Sequence, residues 1–497
     1  MKLRLISLLT MCAMIFSCAA VMASCGEGDT ANTQASGDGA TVAQEETLEG
    51  EADDPRLAVK EQLPDTDMGG YKFRIMNYDP NDFGWLVVEL NAEEENGETI
   101  NDAIYKRNRT VEAKYNFVVE EITVTGPDNA NGMVKKSIKA GTDDYDISMT
   151  GADYVTAMAS DHLFMDVYEL PHVDLTKPWW DQAQQRDLSL GNKLYFASGD
   201  MTLTHYSSTM VMFFNKQILR DYNLEDPYSL VKDNKWTFDA FFNLAKHATQ
   251  DVDGNGKFDQ NDQYGYMSIN FLVVPAWMNA SGESLVKLDD AGQPVFNANT
   301  GRFTDVFSKI IDVCYTDNVF FDADTMGTRD HRQQDVMFPG NQVLFWTELV
   351  QWSKLLRDMD ADFGIIPVPK FDENQKEWYS YTFGPSYITV PVTNDKLEWT
   401  GIFLEAMCAE SYRTCVPAYY DAMLKTKISR DNDSGDMLDL IFSNRVYDLG
   451  YLYWNTVAGT PLVNLFKNKD TGVATYIEKN ATKVQAAFDK TMAALAE

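Results

Sequence analysis

Basic residues are scarce in this chain of 497 residues. Its 42 Lys and Arg stand against 75 Asp and Glu, which gives a formal net charge of -33. Binding to nucleic acid or to an anionic membrane surface depends on clustered Lys and Arg. The scarcity argues against both, and we expect no nucleic-acid partner. Hydrophobic residues make up 44% of the chain, as in a folded protein, and the length predicts two or three domains.

Cysteine is rare as well. Only Cys314, Cys408 and Cys415 lie beyond residue 25, and three cysteines do not make a disulfide framework. Cys408 and Cys415 could pair only if a helix ended between them. We favour the alternative, in which they are small buried hydrophobic residues.

Catalytic motifs are also missing from the sequence. It contains no HExxH zinc motif, no GxSxG nucleophile elbow and no GxxxxGK[ST] phosphate loop. Glycoside hydrolysis needs only a pair of carboxylates, and 75 acidic residues offer many accidental pairs. We therefore expect no enzyme activity and keep a cell-surface glycan hydrolase as the weaker alternative.

The first 24 residues have the pattern of a secretory signal peptide. Lys2 and Arg4 precede an apolar stretch that ends in the small residues Ala23 and Ser24. The following Cys25 completes a segment that resembles a bacterial lipobox, so we expect Cys25 to be lipidated. Plain secretion is the alternative.

Residues 25–66 are predicted to hold the lipidated cysteine and a disordered tether. Between residues 26 and 55 there are nine Asp or Glu, no Lys or Arg and no aromatic residue. Such a stretch cannot bury enough apolar surface to offset the entropy lost on ordering. No later apolar run is long enough to span a bilayer, so the lipid is expected to be the membrane attachment.

Beyond residue 66 the sequence alternates between strand and helix patterns. Strands are predicted at 71–76, 145–149, 209–214, 343–346, 363–366 and 386–390, and helices at 101–117, 237–248, 397–411, 436–445 and 475–495. The Thr237 hydroxyl is expected to cap its helix. The alternation predicts an α/β protein with mostly parallel sheets.

Several segments carry a resemblance to a known family. They are NGETINDAIYKRNRTVEAKYN (96–116), YDISMTGAD (145–153), NKLYFASGD (192–200) with MVMFFNKQIL (210–219), KWTFDAFFNLAKHAT (235–249), and FGIIPVPKFDENQKEW (363–378) followed by SYITVPVTN (386–394). In this order and spacing they resemble the family 1 extracellular solute-binding proteins of bacterial ABC transporters, the carbohydrate-binding type.

The resemblance implies a two-lobed periplasmic-binding-protein-like fold of the class II type, with two α/β lobes joined by a hinge of crossover strands. By analogy, lobe I comprises 67–204 and 365–415, and lobe II comprises 205–364 and 416–497. The family implies a sugar or oligosaccharide bound between the lobes and delivered to the permease subunits of an ABC importer. We expect a monomer on the extracellular face of a bacterial, Gram-positive cell membrane. A peptide or other solute is the alternative ligand, and an adhesion lipoprotein is a further alternative function.

A sugar site needs aromatic faces for stacking and carboxylates or amides for hydroxyl groups. Because α/β proteins bind ligands beyond strand ends, we expect both types there. The candidates are Asn77, Tyr78, Asp153, Asp200, Trp277, Asn279, Trp346, Glu348, Ser386 and Trp454. For each tryptophan, packing in the core is the alternative.

The segment 251–262 has the spacing of an EF-hand loop. Its ligand positions hold Asp251, Asp253, Asn255, Lys257 through its carbonyl, Asp259 and Asp262. The last position has Asp in place of the usual bidentate Glu, which shortens its reach. Since there is a single loop, we expect a structural Ca²⁺ site and not a sensor; a metal-free turn is the alternative.

Overall fold

A computed structural model describes residues 54–81, 88–325, 334–425 and 433–496. The predicted signal peptide, Cys25 and the tether up to residue 53 lie outside these residues. The described residues from Pro55 onward belong to one compact unit. None of their helices combines the length and the apolar character needed to cross a membrane.

The described strands and helices alternate along the chain. The strands are β1 Tyr71–Tyr78, β2 Phe117–Val124, β3 Ile147–Gly151, β4 Met210–Asn215, β5 Tyr264–Ser268, β6 Val286–Leu288, β7 Pro294–Phe296, β8 Phe320–Asp322, β9 Val343–Leu349, β10 Phe363–Ile366, β11 Ser380–Tyr381, β12 Ser386–Thr389 and β13 Arg445–Val446. The helices are α1 Thr99–Tyr115, α2 Pro127–Ala140, α3 Ala152–Ser160, α4 Gln182–Leu188, α5 Thr204–Ser207, α6 Lys216–Asp221, α7 Pro227–Lys232, α8 Phe238–Ala248, α9 Asn270–Ala280, α10 Gly301–Tyr315, α11 Gln334–Met337, α12 Leu397–Arg413, α13 Cys415–Lys425, α14 Asp433–Ser443, α15 Leu449–Tyr453, α16 Thr460–Lys467 and α17 Val473–Ala496.

The first sheet has the strand order β12-β3-β1-β2. Strand β1 pairs in parallel with β2 and β3, whereas β12 runs antiparallel to β3. The second sheet has the order β10-β4-β9-β5-β8. There β5 is parallel to β8 and β9, but β4 is antiparallel to β9 and β10. Each sheet is therefore mostly parallel, as predicted, with one reversed strand: β12 in the first sheet and β4 in the second.

The antiparallel strands β4 and β12 are the ones that follow a crossing between the sheets. Strand β4 follows the segment 203–209, which leaves the first sheet, and β12 follows 380–385, which returns to it. A chain that crosses between two sheets enters the next one from the edge where the parallel strands end. Its first strand there must run opposite to them, which explains the mixed sheets.

The two crossing segments lie side by side with a third. Thr209 and Thr382 form an antiparallel bridge, and the amide of Phe383 donates to the carbonyl of Ser208 over 2.9 Å. The amide of Thr382 donates to the carbonyl of Val446 over 2.9 Å, where β11 and β13 pair. Two backbone crossings thus join the two sheets, and the segment at β13 lies beside them, as in a two-lobed protein with a strand hinge.

Local patterns predicted several elements closely. Strand Phe363–Ile366 has the predicted bounds, and the Thr237 hydroxyl accepts from the Ala240 amide at the start of α8. All of β10 pairs within the second sheet, across the lobe boundary predicted at residue 365. Strand β2 was not predicted, since the preceding helix was extended to Phe117. The left-handed Asn116 (φ 53°) ends that helix and allows β2 to start at once.

Two cores lie against the sheets. Each sheet buries hydrophobic side chains against flanking helices, with Phe73 and Phe403 in contact at the first sheet and Phe213 and Trp346 at the second. Cys314, Cys408 and Cys415 are buried and unpaired. Their burial confirms the favoured role of small hydrophobic residues.

Candidate functional site

A pocket of about 550 Å³ opens where strands of both sheets end. Gly151 at the end of β3 and Leu349 at the end of β9 line it, together with Gly384 before β12. Its described lining comprises Gly151, Ala152, Asp153, Tyr154, Thr156, Leu188, Ile269, Phe271, Leu272, Ala323, Asp324, Glu348, Leu349, Trp352, Tyr381, Thr382, Phe383, Gly384, Tyr387, Tyr447, Asp448, Tyr451, Leu452, Tyr453, Asn455 and Thr456. The volume is typical of a small-molecule site, and the lining includes the returning crossover at 381–384 and the residues that follow β13.

Aromatic rings form much of the pocket wall. Tyr154, Trp352, Phe383 and Tyr451 are half-buried, and Phe271 is 41% exposed. The rings of Phe271 and Phe383 lie 6.0 Å apart between centroids, so the second sheet and the returning crossover meet there. Such partly exposed rings can stack on the apolar faces of a sugar.

Four carboxylates share the same wall. Asp153 and Asp324 are exposed, whereas Glu348 and Asp448 are buried. Asp153 lies in the first turn of α3, where the helix dipole favours a negative charge. Carboxylates of this kind accept hydrogen bonds from sugar hydroxyl groups.

Asp448 anchors the part of the wall that carries Tyr451. Its carboxylate accepts from the amides of Leu285 (2.5 Å) and Gly450 (2.8 Å), which caps the start of α15. Burial raises the pKa of Asp448 to about 6, against the lowering effect of these amides and of Asn279. Asp448 therefore positions the short helix α15 and its aromatic residues.

The Tyr451 hydroxyl is buried and has no hydrogen-bond partner among the described residues. The Thr382 hydroxyl, also on the pocket wall, has none either. A buried polar group without a partner costs about 1–3 kcal/mol. A polar ligand in the pocket could provide the missing partners.

The structure brings two predicted ligand residues, Asp153 and Glu348, onto the pocket wall. Asn77, Tyr78 and Ser386 lie behind it and are buried. The Tyr78 hydroxyl accepts from the amide of Gly151 over 2.8 Å and so holds the end of β3. Ser386 pairs with Gly151 as well, whereas Asn77 donates to the carbonyl of Val88 and to Glu121; none of the three lines the pocket.

Three predicted stacking residues lie in the core. The Trp277 ring packs 4.8 Å from Phe238, and its Nε1 donates to the Tyr266 hydroxyl over 2.9 Å. Trp346 is fully buried against aromatic rings, and Trp454 packs on Phe488 at 4.3 Å. As placed here, none of the three can stack on a ligand, because helices and neighbouring strands cover their faces.

Two predicted polar residues are buried away from the wall. Asp200 pairs with His205 at 3.2 Å, and each side chain is 1% exposed. Burial raises the pKa of Asp200, which the partner His205 opposes. Asn279 donates to Asp448 over 3.4 Å and thus supports the pocket indirectly.

Sequence reasoning missed most of the aromatic wall. Tyr154 directly follows the predicted Asp153, and Trp352 lies four residues after Glu348. Tyr451 is part of the segment GYLYWN, from which Trp454 alone was chosen. Proximity to a predicted polar residue at a strand end was the available signal.

A second cavity, of about 980 Å³, lies beyond the segment 350–357. The first turn of α1 and residues 202–204 line it, together with Lys354 and Arg357. Its lining is rich in amides and hydroxyl groups. Tyr419 is the one aromatic residue among its described lining residues.

The predicted metal loop brings three carboxylates together. Ligand atoms of Asp251, Asp253 and Asp262 lie within 4.8 Å of one another. Asp262 is buried and accepts from the amides of Val252 and Asp259. An all-oxygen, negatively charged set fits Ca²⁺.

Two other predicted ligands, Asn255 and Asp259, accept hydrogen bonds from backbone amides. The Asn255 side chain accepts from the amide of Lys257, and Asp259 accepts from the amide of Asn261, each over 2.8 Å. The loop is thus held by its own amide hydrogen bonds, and three of its side chains form the cluster.

Comparisons with known proteins agree with this architecture. No protein-family model and no curated protein matches the chain. Among solved structures, it is similar to an ABC substrate-binding protein from Listeria monocytogenes in complex with cycloalternan, with a TM-score of 0.53 and 11% identity over 84% of this chain and 99% of that one.

Two further structures have the same fold. The galacto-N-biose/lacto-N-biose I-binding protein of the Bifidobacterium longum ABC transporter gives a TM-score of 0.55 at 13% identity, over 85% of this chain and 98% of that one. A sugar transporter protein from Rhizobium etli in an open conformation gives 0.55 at 12%, over 86% and 99%. The chain has the two-lobed fold of ABC solute-binding proteins. The predicted fold is confirmed, and the family resemblance is confirmed at that level.

Proposed function

We propose that this protein is a lipid-anchored extracellular solute-binding protein. It captures a sugar or oligosaccharide between its two lobes and delivers it to an ABC-type import permease, without turnover. The single observation that carries the proposal is the pocket at the strand ends, where rings such as Trp352 and carboxylates such as Asp153 share one wall. The sugar ligands named for the structural neighbours support it.

Ligand capture by both lobes follows from the placement of this wall. Asp153 belongs to the first sheet's side, and Glu348 to the second sheet's side. A ligand that contacts both favours the closed arrangement, whereas a ligand held by one side does not. We propose two lobes in a monomer: 67–204 plus 367–415 as lobe I and 205–366 plus 416–497 as lobe II, which moves the predicted boundary at residue 365 to the end of β10.

A thermal-shift screen tests the proposal. The protein is the chain from residue 26 onward, which lacks only the proposed signal peptide and lipidated cysteine. Mono- and oligosaccharides are compared with peptides, because a ligand that binds the native state raises the melting temperature. A shift with a sugar series and no product formed supports the proposal. A shift with peptides alone overturns the sugar assignment, and sugar cleavage identifies a hydrolase.

The proposed lipid anchor rests on the sequence around Cys25. We expect metabolic labelling with a palmitate analogue to mark the protein in a bacterial host and Cys25→Ala to abolish the label. In the variant, the protein should leave the membrane fraction. Retention of label would contradict lipidation at this residue.

The cluster of Asp251, Asp253 and Asp262 supports a structural Ca²⁺ site. The ion would tie the loop after α8 to the start of β5 and would take no part in ligand capture. Its charge would offset three carboxylates held close together.

A further inference from the structure

The charge of the pocket wall bears on which sugars the proposed receptor accepts. Among the described residues that line the pocket, four are carboxylates and none is Lys, Arg or His. The second cavity contrasts with it, since Lys354 and Arg357 line that one beside Glu89 and Glu98. Among the described lining residues, the excess of negative charge is therefore found at the aromatic pocket and not at the second cavity.

Two of these carboxylates are available to a ligand from opposite sides. Asp153 follows β3 of the first sheet, and Asp324 follows β8 of the second. Both residues are exposed. A positively charged group placed between them would be attracted by both lobes, and the attraction would grow as closure excludes water.

The aromatic wall suits the same kind of ligand. The rings of Tyr381 and Phe383 lie 6.2 Å apart between centroids, and Tyr381 and Tyr451 lie at the same separation. With the partly exposed Phe271 beside Phe383, these rings present several faces to the pocket. Ring faces attract cations through their quadrupole and also stack on apolar sugar faces.

We propose that the pocket selects sugars that carry an ammonium group, namely amino sugars or oligosaccharides that contain them. It rejects sugars that carry a carboxylate, such as uronates. The ammonium group contacts Asp153 and Asp324 while the ring of the sugar stacks on the aromatic wall. This inference rests on the proposed function, because it names the class of sugar bound by the same site.

Sets of three sugars with the same ring stereochemistry provide the test. Glucose, glucosamine and glucuronate form one set, the galactose equivalents form a second, and cello- and glucosamine oligomers of equal length extend the first. Affinities are measured by calorimetry on the chain from residue 26 onward. In the set that binds, we expect the ammonium form to bind about tenfold more tightly than the neutral form, and the uronate more weakly than both.

Two charge-removing variants assign the preference to the pocket. Asp153→Asn and Asp324→Asn should each reduce the ratio of ammonium to neutral affinity several-fold, and about 0.5 M NaCl should reduce it in the unaltered protein. Asp290→Asn removes the same charge from an exposed turn outside the pocket and should leave the ratio unchanged. An equal reduction in Asp290→Asn would assign the effect to overall charge and overturn the proposal.

The outcomes separate the two proposals. Neutral sugar binding with no gain from the ammonium group, or tightest binding of a uronate, overturns this inference and leaves the receptor function standing. Absence of binding for every sugar, with a shift for peptides, overturns the sugar function itself and the inference with it.

Discussion

Two groups of large aromatic side chains differ in what surrounds them. Trp277 and Trp346 in the second sheet's core are fully buried, and other aromatic rings pack on their faces. Trp352 and Tyr451 are on the pocket wall and keep part of their surface exposed. The contrast is sharpest between Trp346 and Trp352, which are the same residue type and only six residues apart in the chain.

The difference lies in which neighbours cover each ring. Trp346 sits within β9, where Phe213 from β4 and Phe338 from another segment close over it. Trp352 lies three residues beyond the end of β9. Its ring lines the pocket, so it remains partly exposed. A buried ring contributes to folding, and a half-exposed ring at a pocket is available for binding.

The largest effect is expected for Trp277→Ala, which should lower the free energy of unfolding by about 3–5 kcal/mol through the cavity it leaves. The affinity of the remaining folded protein for sugar should be unchanged. Chemical denaturation measures the first quantity and calorimetry on folded protein the second. Weaker binding without a loss of stability would place the ring at the ligand after all.

Glu405, which is buried beside Trp180 in the first lobe, allows a test by pH. Glu405 is 1% exposed and accepts from Trp180 Nε1 over 2.8 Å and from the amide of Asp174 over 3.2 Å. Burial raises the pKa of Glu405 from 4.5 to about 7, against the lowering effect of these donors. The folded protein therefore holds a proton in this range that the unfolded chain releases.

Since the folded state binds the extra proton, the stability from Glu405 should fall as the pH rises from about 4.5 to 7 and then level off. The loss should be about 3 kcal/mol. Glu405→Gln mimics the protonated form and should remove this part of the pH dependence, in denaturant titrations at pH 5 and pH 8. The same slope in the variant would show that other groups cause it.

Trp352→Ala is the counterpart at the pocket. It should weaken sugar binding by about 1–3 kcal/mol, because a stacking face is lost, while stability changes little. Lys354→Ala is the matched control, since Lys354 is exposed, belongs to the same segment and lines the other cavity. Equal losses of affinity in both variants would mean that the ligand spans both cavities.

The fold could be predicted from local patterns far better than the site. Phe363–Ile366 is an apolar run with clear ends, and Thr237 is a recognisable cap, so neither depends on distant residues. Whether Trp346 or Trp352 meets the ligand depends on Phe213 and Phe338, which come from other parts of the chain. The sequence marked Asp153 and Glu348 because strand ends are local features, but it held no signal for which rings would be covered.

The smallest effect is expected at the loop 251–262, which joins the second sheet but contains neither group of rings. Tyr264 in β5 donates to the carbonyl of Asp259, so the loop is connected to the core through that strand. At a Ca²⁺ concentration ten times the Kd, the ion should stabilise the folded protein by about 1.4 kcal/mol. A chelator should reverse the gain, and Asp251→Ala should abolish it with sugar affinity unchanged.

Asp290→Asn controls for the loss of one surface charge and should keep the Ca²⁺-dependent gain. If the gain persisted in Asp251→Ala, the ion would bind elsewhere. If Ca²⁺ changed sugar affinity in the unaltered protein, the loop would be coupled to the pocket. The separation between side chains that stabilise the fold and side chains that bind the ligand would then fail for this part of the second sheet.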